Sequence, residues 1–214
     1  MDSLRILDKV VGRIAPGPSP SFTKAHLLLA LEIISCETIG RARLSEFLRL
    51  GPGVTRTLIK HLKVEGLIEV SRSGIKLSNF GKNVLKDIKS KIRSTLRVPK
   101  SPLTIGPYNI AVLVRGASDA IRYGMEQRDA AIKVGAIGAT TLIYKGNRLI
   151  LPGVNEKSLQ GVLDIMKFLT ENLKPKENDV IIIGSAEDEH TAELGAKTAA
   201  LELLRKVYEN KDNF

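Results

Sequence analysis

Apolar residues in this chain recur with a helical period in some stretches and form dense β-branched runs in others. In residues 2–15, Leu4, Leu7, Val11 and Ile14 fall at three- and four-residue steps, which predicts a short amphipathic helix. Pro16-Gly17-Pro18-Ser19-Pro20 stops it. A second helix is expected after Phe22, with Thr23 as its N-cap, an apolar stripe of Leu27, Leu28, Leu31, Ile33 and Ile34, and Gly40 as its breaker. Residues 42–49 predict a short helix burying Leu44, Phe47 and Leu48. Gly51-Pro52-Gly53 is a tight turn, and residues 54–65 a third helix. Residues 67–70 and 75–77 read as strands joined by a turn over 71–74, and residues 79–94 as a basic helix.

The pattern then changes. Val98-Pro99-Lys100-Ser101-Pro102 cannot continue a helix and is expected to mark a boundary. Residues 108–115 form an apolar, β-branched run that predicts a strand covered on both faces. A helix over 117–134, strands at 138–144 and 148–151, a helix over 156–173 (Leu159, Val162, Leu163, Met166 and Leu169 inward), a buried strand at 179–184 and a helix over 188–209 follow. The expected class is α+β, in three parts. Residues 1–20 are an N-terminal helix and Pro-rich linker, 21–97 a winged helix-turn-helix, and 103–214 a sandwich domain of order β-α-β-β-α-β-α. One form of that order is a ferredoxin-like mixed sheet with an added helix.

Composition excludes several classes. The chain has 214 residues, 43% of them hydrophobic and 26% charged, which is globular usage rather than that of a disordered chain, a collagen or a coiled-coil rod. A single cysteine, Cys36, makes neither an internal disulfide nor a cysteine-based zinc cluster, so a reducing compartment is the default. No apolar run approaches the roughly 20 residues that span a bilayer, and no signal-peptide pattern opens the chain. A cytoplasmic protein with no membrane partner is the expectation.

Charge sharpens the picture. Residues 41–100 carry fifteen basic and four acidic side chains, whereas residues 1–40 are net neutral and 101–214 net −1. All the excess of +10 therefore sits in one module, the footprint of a polyanion-binding surface. On the third helix, Val54, Leu58, Ile59 and Leu62 share one side, while Arg56, Lys60 and Lys63 share the other with Thr57 on its flank. Such a face suits the major groove of double-stranded DNA, Arg reading guanine edges and Lys neutralising phosphates. Arg41 and Arg43 lie where the second helix of the motif would meet the backbone. Arg72 and Lys76 give the hairpin a basic tip. RNA suits the module less, because no strand carries an aromatic pair for base stacking. His61 falls at the edge of the apolar face and is expected to pack rather than to bind a metal.

The second unit offers weaker signals. Arg128 lies among Ala117, Ala120, Ile121, Gly124, Met125, Ala131 and Ile132 on a helical wheel, so it is expected to find an internal partner, to snorkel to the surface or to bind an anionic ligand. Gly184-Ser185-Ala186 and Arg115-Gly116 each follow a buried strand, where α/β sheets often bind ligands. A small, anionic effector near Arg115, Arg128, Thr140, Thr141 and Ser185 is one expectation. Glu187-Asp188-Glu189 and His190 open a helix and complement its dipole; adjacent positions fan apart, so no metal site is expected. On the last helix, Ala192, Gly195, Ala196, Ala199 and Leu203 suit close packing on the sheet. Leu194, Leu201 and Tyr208 form a second stripe that needs another cover, from a partner subunit or the N-terminal module, and a homodimer interface is the economical reading. No hydrolase, metalloprotease, phosphate-loop or dinucleotide motif is present, so neither catalysis nor a cofactor is expected.

The segments from Arg115 to Ile121 and from Gly124 to Lys133, followed by Gly138-Ala139-Thr140-Thr141-Leu142, resemble a family of archaeal two-domain proteins. In these a winged-helix region precedes a C-terminal domain of unknown function. The resemblance runs from about Phe22 onward and implies an archaeal transcriptional regulator. The layout also resembles archaeal thiamine regulators, which join a helix-turn-helix to a phosphate-ester-binding domain. That domain's motifs are not matched residue by residue, so its ligand is not carried over. The leading expectation is thus a DNA-binding transcriptional regulator, dimeric and effector-sensing, with coupling through residues 97–102. The alternatives are a metabolic enzyme acting on a phosphorylated small molecule with a winged-helix regulatory module, and a winged-helix protein scaffold.

Overall fold

A computed structural model of the chain describes residues 3–12, 20–154 and 161–212. The chain forms two compact units, residues 1–89 and 90–214.

The first unit is built as α1 (Ser3–Val11), α2 (Lys24–Cys36), α3 (Arg41–Leu48), α4 (Pro52–Val64), the hairpin β1 (Ile68–Ser71) and β2 (Gly74–Leu77), and α5 (Asn79–Lys91). Thr23 caps α2 as the sequence predicts, and His26 closes a capping box by accepting from the Thr23 amide at 3.1 Å. Seven residues of α2 are buried, from Ala25 to Ile34, making it the central helix of this unit. Helix α1 buries Leu4, Leu7 and Val10; Ile14 and the Pro-rich run over 16–19 lie outside the described residues. An ion pair ties Asp8 of α1 to Lys24. His61 packs, as expected. It donates from Nδ1 to the Val10 carbonyl at 2.6 Å, and the Phe22 ring meets it edge-on, 5.5 Å between centroids. Glycine is required at Gly81, where a Cβ would run into the Leu67 carbonyl oxygen. Its absence lets α5 seat directly behind the hairpin.

One element of this unit is not visible in the sequence pattern. Ile39 pairs with Ile75 as an isolated antiparallel bridge, with N–H···O distances of 3.1 and 2.9 Å in the two directions. It adds a third, minimal strand to the hairpin and holds the wing against the helices.

The second unit is a five-stranded sheet with helices on both faces. Its elements are β3 (Ile92–Arg97), β4 (Tyr108–Val114), a 3-10 turn (Ser118–Ala120), α6 (Met125–Ile132), β5 (Gly138–Lys145), β6 (Arg148–Ile150), α7 (Leu163–Leu173), β7 (Val180–Ala186) and α8 (Glu189–Asp212). The strand order is β3-β4-β7-β5-β6, with every neighbouring pair antiparallel. Leu113, Leu142, Ile181 and Ile183 pack with Ile165, Met166 and Leu169 of α7 on one face. Ile110, Ala186 and Ala139 pack with Ala131 of α6 and Ala192 of α8 on the other.

The α+β class is as the sequence predicts, but four details differ. The sheet is antiparallel rather than mixed. A ferredoxin-like sheet would place the return strand of the β5–β6 hairpin between β4 and β5. Here β7 lies there, because all seven of its residues are apolar or small enough to be buried. Three-residue β6, followed by Pro152, stays at the edge. The basic helix stops at Lys91, and residues 92–97 leave it as the edge strand β3. The Pro-bearing run 98–102 therefore lies inside the second unit, between β3 and β4, and no residue intervenes between α5 and β3. The expected helix over 117–134 is broken by Gly124 at φ 75°, so that α6 spans eight residues. Helix α7 begins at Leu163; Leu159 lies outside the described residues.

Candidate nucleic-acid interface

The turn between α3 and α4 sets the exposed helix. Arg49 ends α3 in the left-handed region at φ 51°, the Leu50 amide bonds back to Ser45, and the Ser45 hydroxyl donates to the Leu50 carbonyl at 2.6 Å. Gly51 is the N-cap of α4 and Pro52 its first residue, a pairing that starts a helix sharply. The face turned inward holds Thr55, Leu58, His61 and Leu62, while Val54 and Ile59 are half-buried at its margins. That rotates the buried stripe slightly from the expected one and leaves the predicted outer face intact: Arg56, Thr57, Lys60 and Lys63 are all exposed.

These cations differ in availability. Arg41, Arg56, Lys60, Lys63 and Arg72 are exposed, and none has an ion-pair partner among the described residues. Arg43 is engaged: its guanidinium reaches both carboxylate oxygens of Glu37, at 3.3 and 3.0 Å, and lies 5.5 Å from the centre of the Phe47 ring. Phe47, expected in the core, is 48% exposed and serves as that platform. Lys76 pairs with Glu69 at 2.9 Å across the hairpin, where the two are directly opposed. The wing thus offers Arg72 at its tip rather than two free cations. Sequence reasoning named no residue on α5, yet Lys82, Lys86 and Lys89 form one exposed stripe at four- and three-residue spacing, a signal the sequence carries.

The five candidate effector residues do not converge. Strands β4 and β7 are antiparallel, so their C-terminal ends lie at opposite edges of the sheet: Ser185 faces Asn109 at the start of β4, while Arg115 follows its end. Arg115 pairs with buried Asp179. Ser185 is buried and donates to Asn109 Oδ1 at 2.6 Å. Thr140 donates to the Leu103 carbonyl at 2.8 Å, and strand alternation puts it on the sheet face opposite Thr141. Arg128, expected in an apolar face, is 48% exposed and bonds Asp129 at 3.0 and 3.1 Å; Gln127 is the buried residue of that turn. A small cleft of about 200 Å³ lies instead between Arg97, Tyr108 and Glu189, where Arg97 clasps Glu189 at 2.5 and 2.6 Å.

The α8 stripe is not free either. Leu194 and Leu201 are 5% and 4% exposed within the single chain, and half-buried Tyr208 carries Lys91 Nζ 5.0 Å from its ring centre. The stripe is already covered because α8 lies on β4 and β7 with α6 beside it. Leu201→Ala is therefore expected to destabilise the second unit by about 2–5 kcal/mol in urea unfolding. Its sedimentation at a fixed concentration should be unchanged.

With this geometry in hand, similarity to known proteins bears on the exposed face of α4. Residues 26–92 match the CggR N-terminal DNA-binding domain. The match spans α2 to the start of β3 and so contains α3, α4 and the β1–β2 hairpin. Residues 105–203 match a domain of unknown function, DUF4443. A solved structure, hypothetical protein PH0730 from Pyrococcus horikoshii OT3, is similar over 88% of this chain and 99% of its own, at 26% identity and a TM-score of 0.66. No curated protein matches. The architecture is regulator-like, a region similar to a DNA-binding domain followed by an α+β domain of unknown function. No helix among the described residues is long and apolar enough to cross a membrane.

Proposed function

We propose that this protein is a transcriptional regulator that reads double-stranded DNA with α4, not an enzyme. The observation that carries the reading is the exposed face of Arg56, Thr57, Lys60 and Lys63, on the helix that follows the tight turn, inside a region similar to a known DNA-binding domain. Arg56 and Thr57 enter the major groove, and Lys60 and Lys63 flank it on phosphates. Arg41 fixes the register from α3, and Arg72 contacts backbone or minor groove from the wing. Arg43 and Lys76 contribute less, since each already holds a carboxylate.

The second unit supplies small-molecule sensing and, with it, homodimerisation for paired half-sites. Dimerisation does not rest on the α8 stripe, which is covered, and four of the five effector candidates are either exposed or occupied with internal bonds; the hydroxyl of Thr141, the fifth, is buried without a partner. Because α5 runs directly into β3, a change in the second unit reaches the winged helix through that junction rather than through residues 97–102. Selection from sheared genomic DNA with the full chain tests the reading. Recovery of one preferred site is expected; uniform weak recovery without enrichment would count against it.

A further inference from the structure

The layer formed by α6 and β5 buries polar groups that nothing satisfies. Gln127 is fully buried, and neither its amide nitrogen nor its oxygen has a hydrogen-bond partner; the hydroxyl of buried Thr141 also has none. A Cβ built at Gly124 would lie 3.1 Å from Thr141 Oγ1, so this strand position faces the start of α6. Gln127 follows Gly124 by three residues on the same helix face, and helical side chains lean toward the N-terminus. Buried donors and acceptors left unmade work against the closed arrangement.

The inward residues of α6 are Gln127, Ala130 and Ala131, with no large apolar side chain among them. Gly124 at φ 75° and Gly135 at φ 94° bound it, and Tyr123, Met125 and Ile132 are exposed. A short helix with little buried apolar surface opens locally at low cost. Of the charges on α6 itself, Arg128 pairs with Asp129 and Glu126 with Lys206, while Arg122 and Lys133, just outside its two ends, are exposed.

We propose that α6 gates a ligand site in which Gln127 and Thr141 bind a small uncharged molecule presenting a donor beside an acceptor, the hydrogen-bonding edge of a carboxamide or a nucleobase. The primary amide of Gln127 matches such an edge with two bonds, and the Thr141 hydroxyl adds a third. An uncharged ligand suits the site because the orphaned atoms are neutral and the charges on α6 itself are already paired. This site gives a chemistry to the sensing assigned above to the second unit and rests on that reading for its role.

The test is hydrogen exchange of residues 124–135 in the full chain with nicotinamide, uracil or, as a charged control, nicotinate. Nicotinamide or uracil should slow exchange at least tenfold at saturation, and which one does so separates carboxamide from nucleobase recognition. Nicotinate should have no effect, and Gln127→Met should abolish the protection. In ligand-free protein, Gln127→Met with Thr141→Val should raise Tm by about 3–6 °C, because orphaned polar atoms are replaced at equal volume. The site is refuted if neither neutral probe protects, if protection survives Gln127→Met, or if the double variant melts lower than wild type. DNA affinity measured alongside separates the two claims. Protection without a change in DNA affinity leaves the site and removes its regulatory role; absent protection with intact DNA binding removes the site alone.

Discussion

Arg56→Ala is expected to lower affinity for the preferred DNA site by about ten- to hundredfold, a loss of about 1–3 kcal/mol, and to relax the preference at one or two adjacent base pairs. Affinity for unrelated DNA should fall far less. Lys60→Ala should behave differently. It removes a phosphate contact, so it weakens all sequences alike and lowers the magnitude of the salt slope by about 0.9. The contrast follows from geometry. Arg56 lies in the first turns of α4, near its N-terminus, and Lys60 lies one turn further on. Competitive binding against single-base variants of the selected site separates the two roles. Equal, sequence-blind losses in both variants would mean that α4 does not read bases.

The second large effect concerns the fold of the second unit. Asp179→Ala is expected to cost about 3–5 kcal/mol, a large share of a typical domain's stability. Asp179 is 2% exposed, and its carboxylate serves three donors: the Arg115 guanidinium, the Gly116 amide at 3.0 Å and the Lys176 amide at 2.7 Å. These bonds join the end of β4 to the turn before β7. Removing the carboxylate strands two amides and a guanidinium whose side chain is 24% exposed. Urea unfolding should show a lower midpoint with an unchanged slope. A variant as stable as wild type would mean that water replaces the carboxylate without loss.

The helices of the first unit were legible because their signals are local. Thr23 as a cap and the opposed faces of α4 each lie within one or two helical turns, although Pro52 and Gly53, read as part of a tight turn, are the first residues of α4. The Ile39–Ile75 bridge was not legible, since one residue on each side makes no periodic pattern. Strand β3 carried a weak signal: Ile92 and Leu96 alternate with Arg93, Thr95 and Arg97, but the run follows a helix without a breaker. Gly124 did announce the interruption of the helix read over 117–134, yet the apolar spacing on both sides outweighed it.

The candidate effector site shows the main limit. Sequence identified strands and the residues at their ends, but not strand direction. Two strand ends that a parallel sheet would bring together lie at opposite edges of this antiparallel one. Likewise the two stripes of α8 correctly mark a helix covered on two sides. That the second cover comes from the same chain is a long-range fact that periodicity does not contain.

The most direct measurement is the salt dependence of binding to the selected site and to unrelated DNA of equal length. With Lys60, Lys63, Arg41 and Arg72 on phosphates, the account predicts a slope of log affinity against log salt near −4 per protomer, at about −0.9 per contact. It also predicts at least about a thousandfold preference for the selected site. A slope near zero, or equal affinity for both DNAs, would contradict the claim that this winged helix reads DNA.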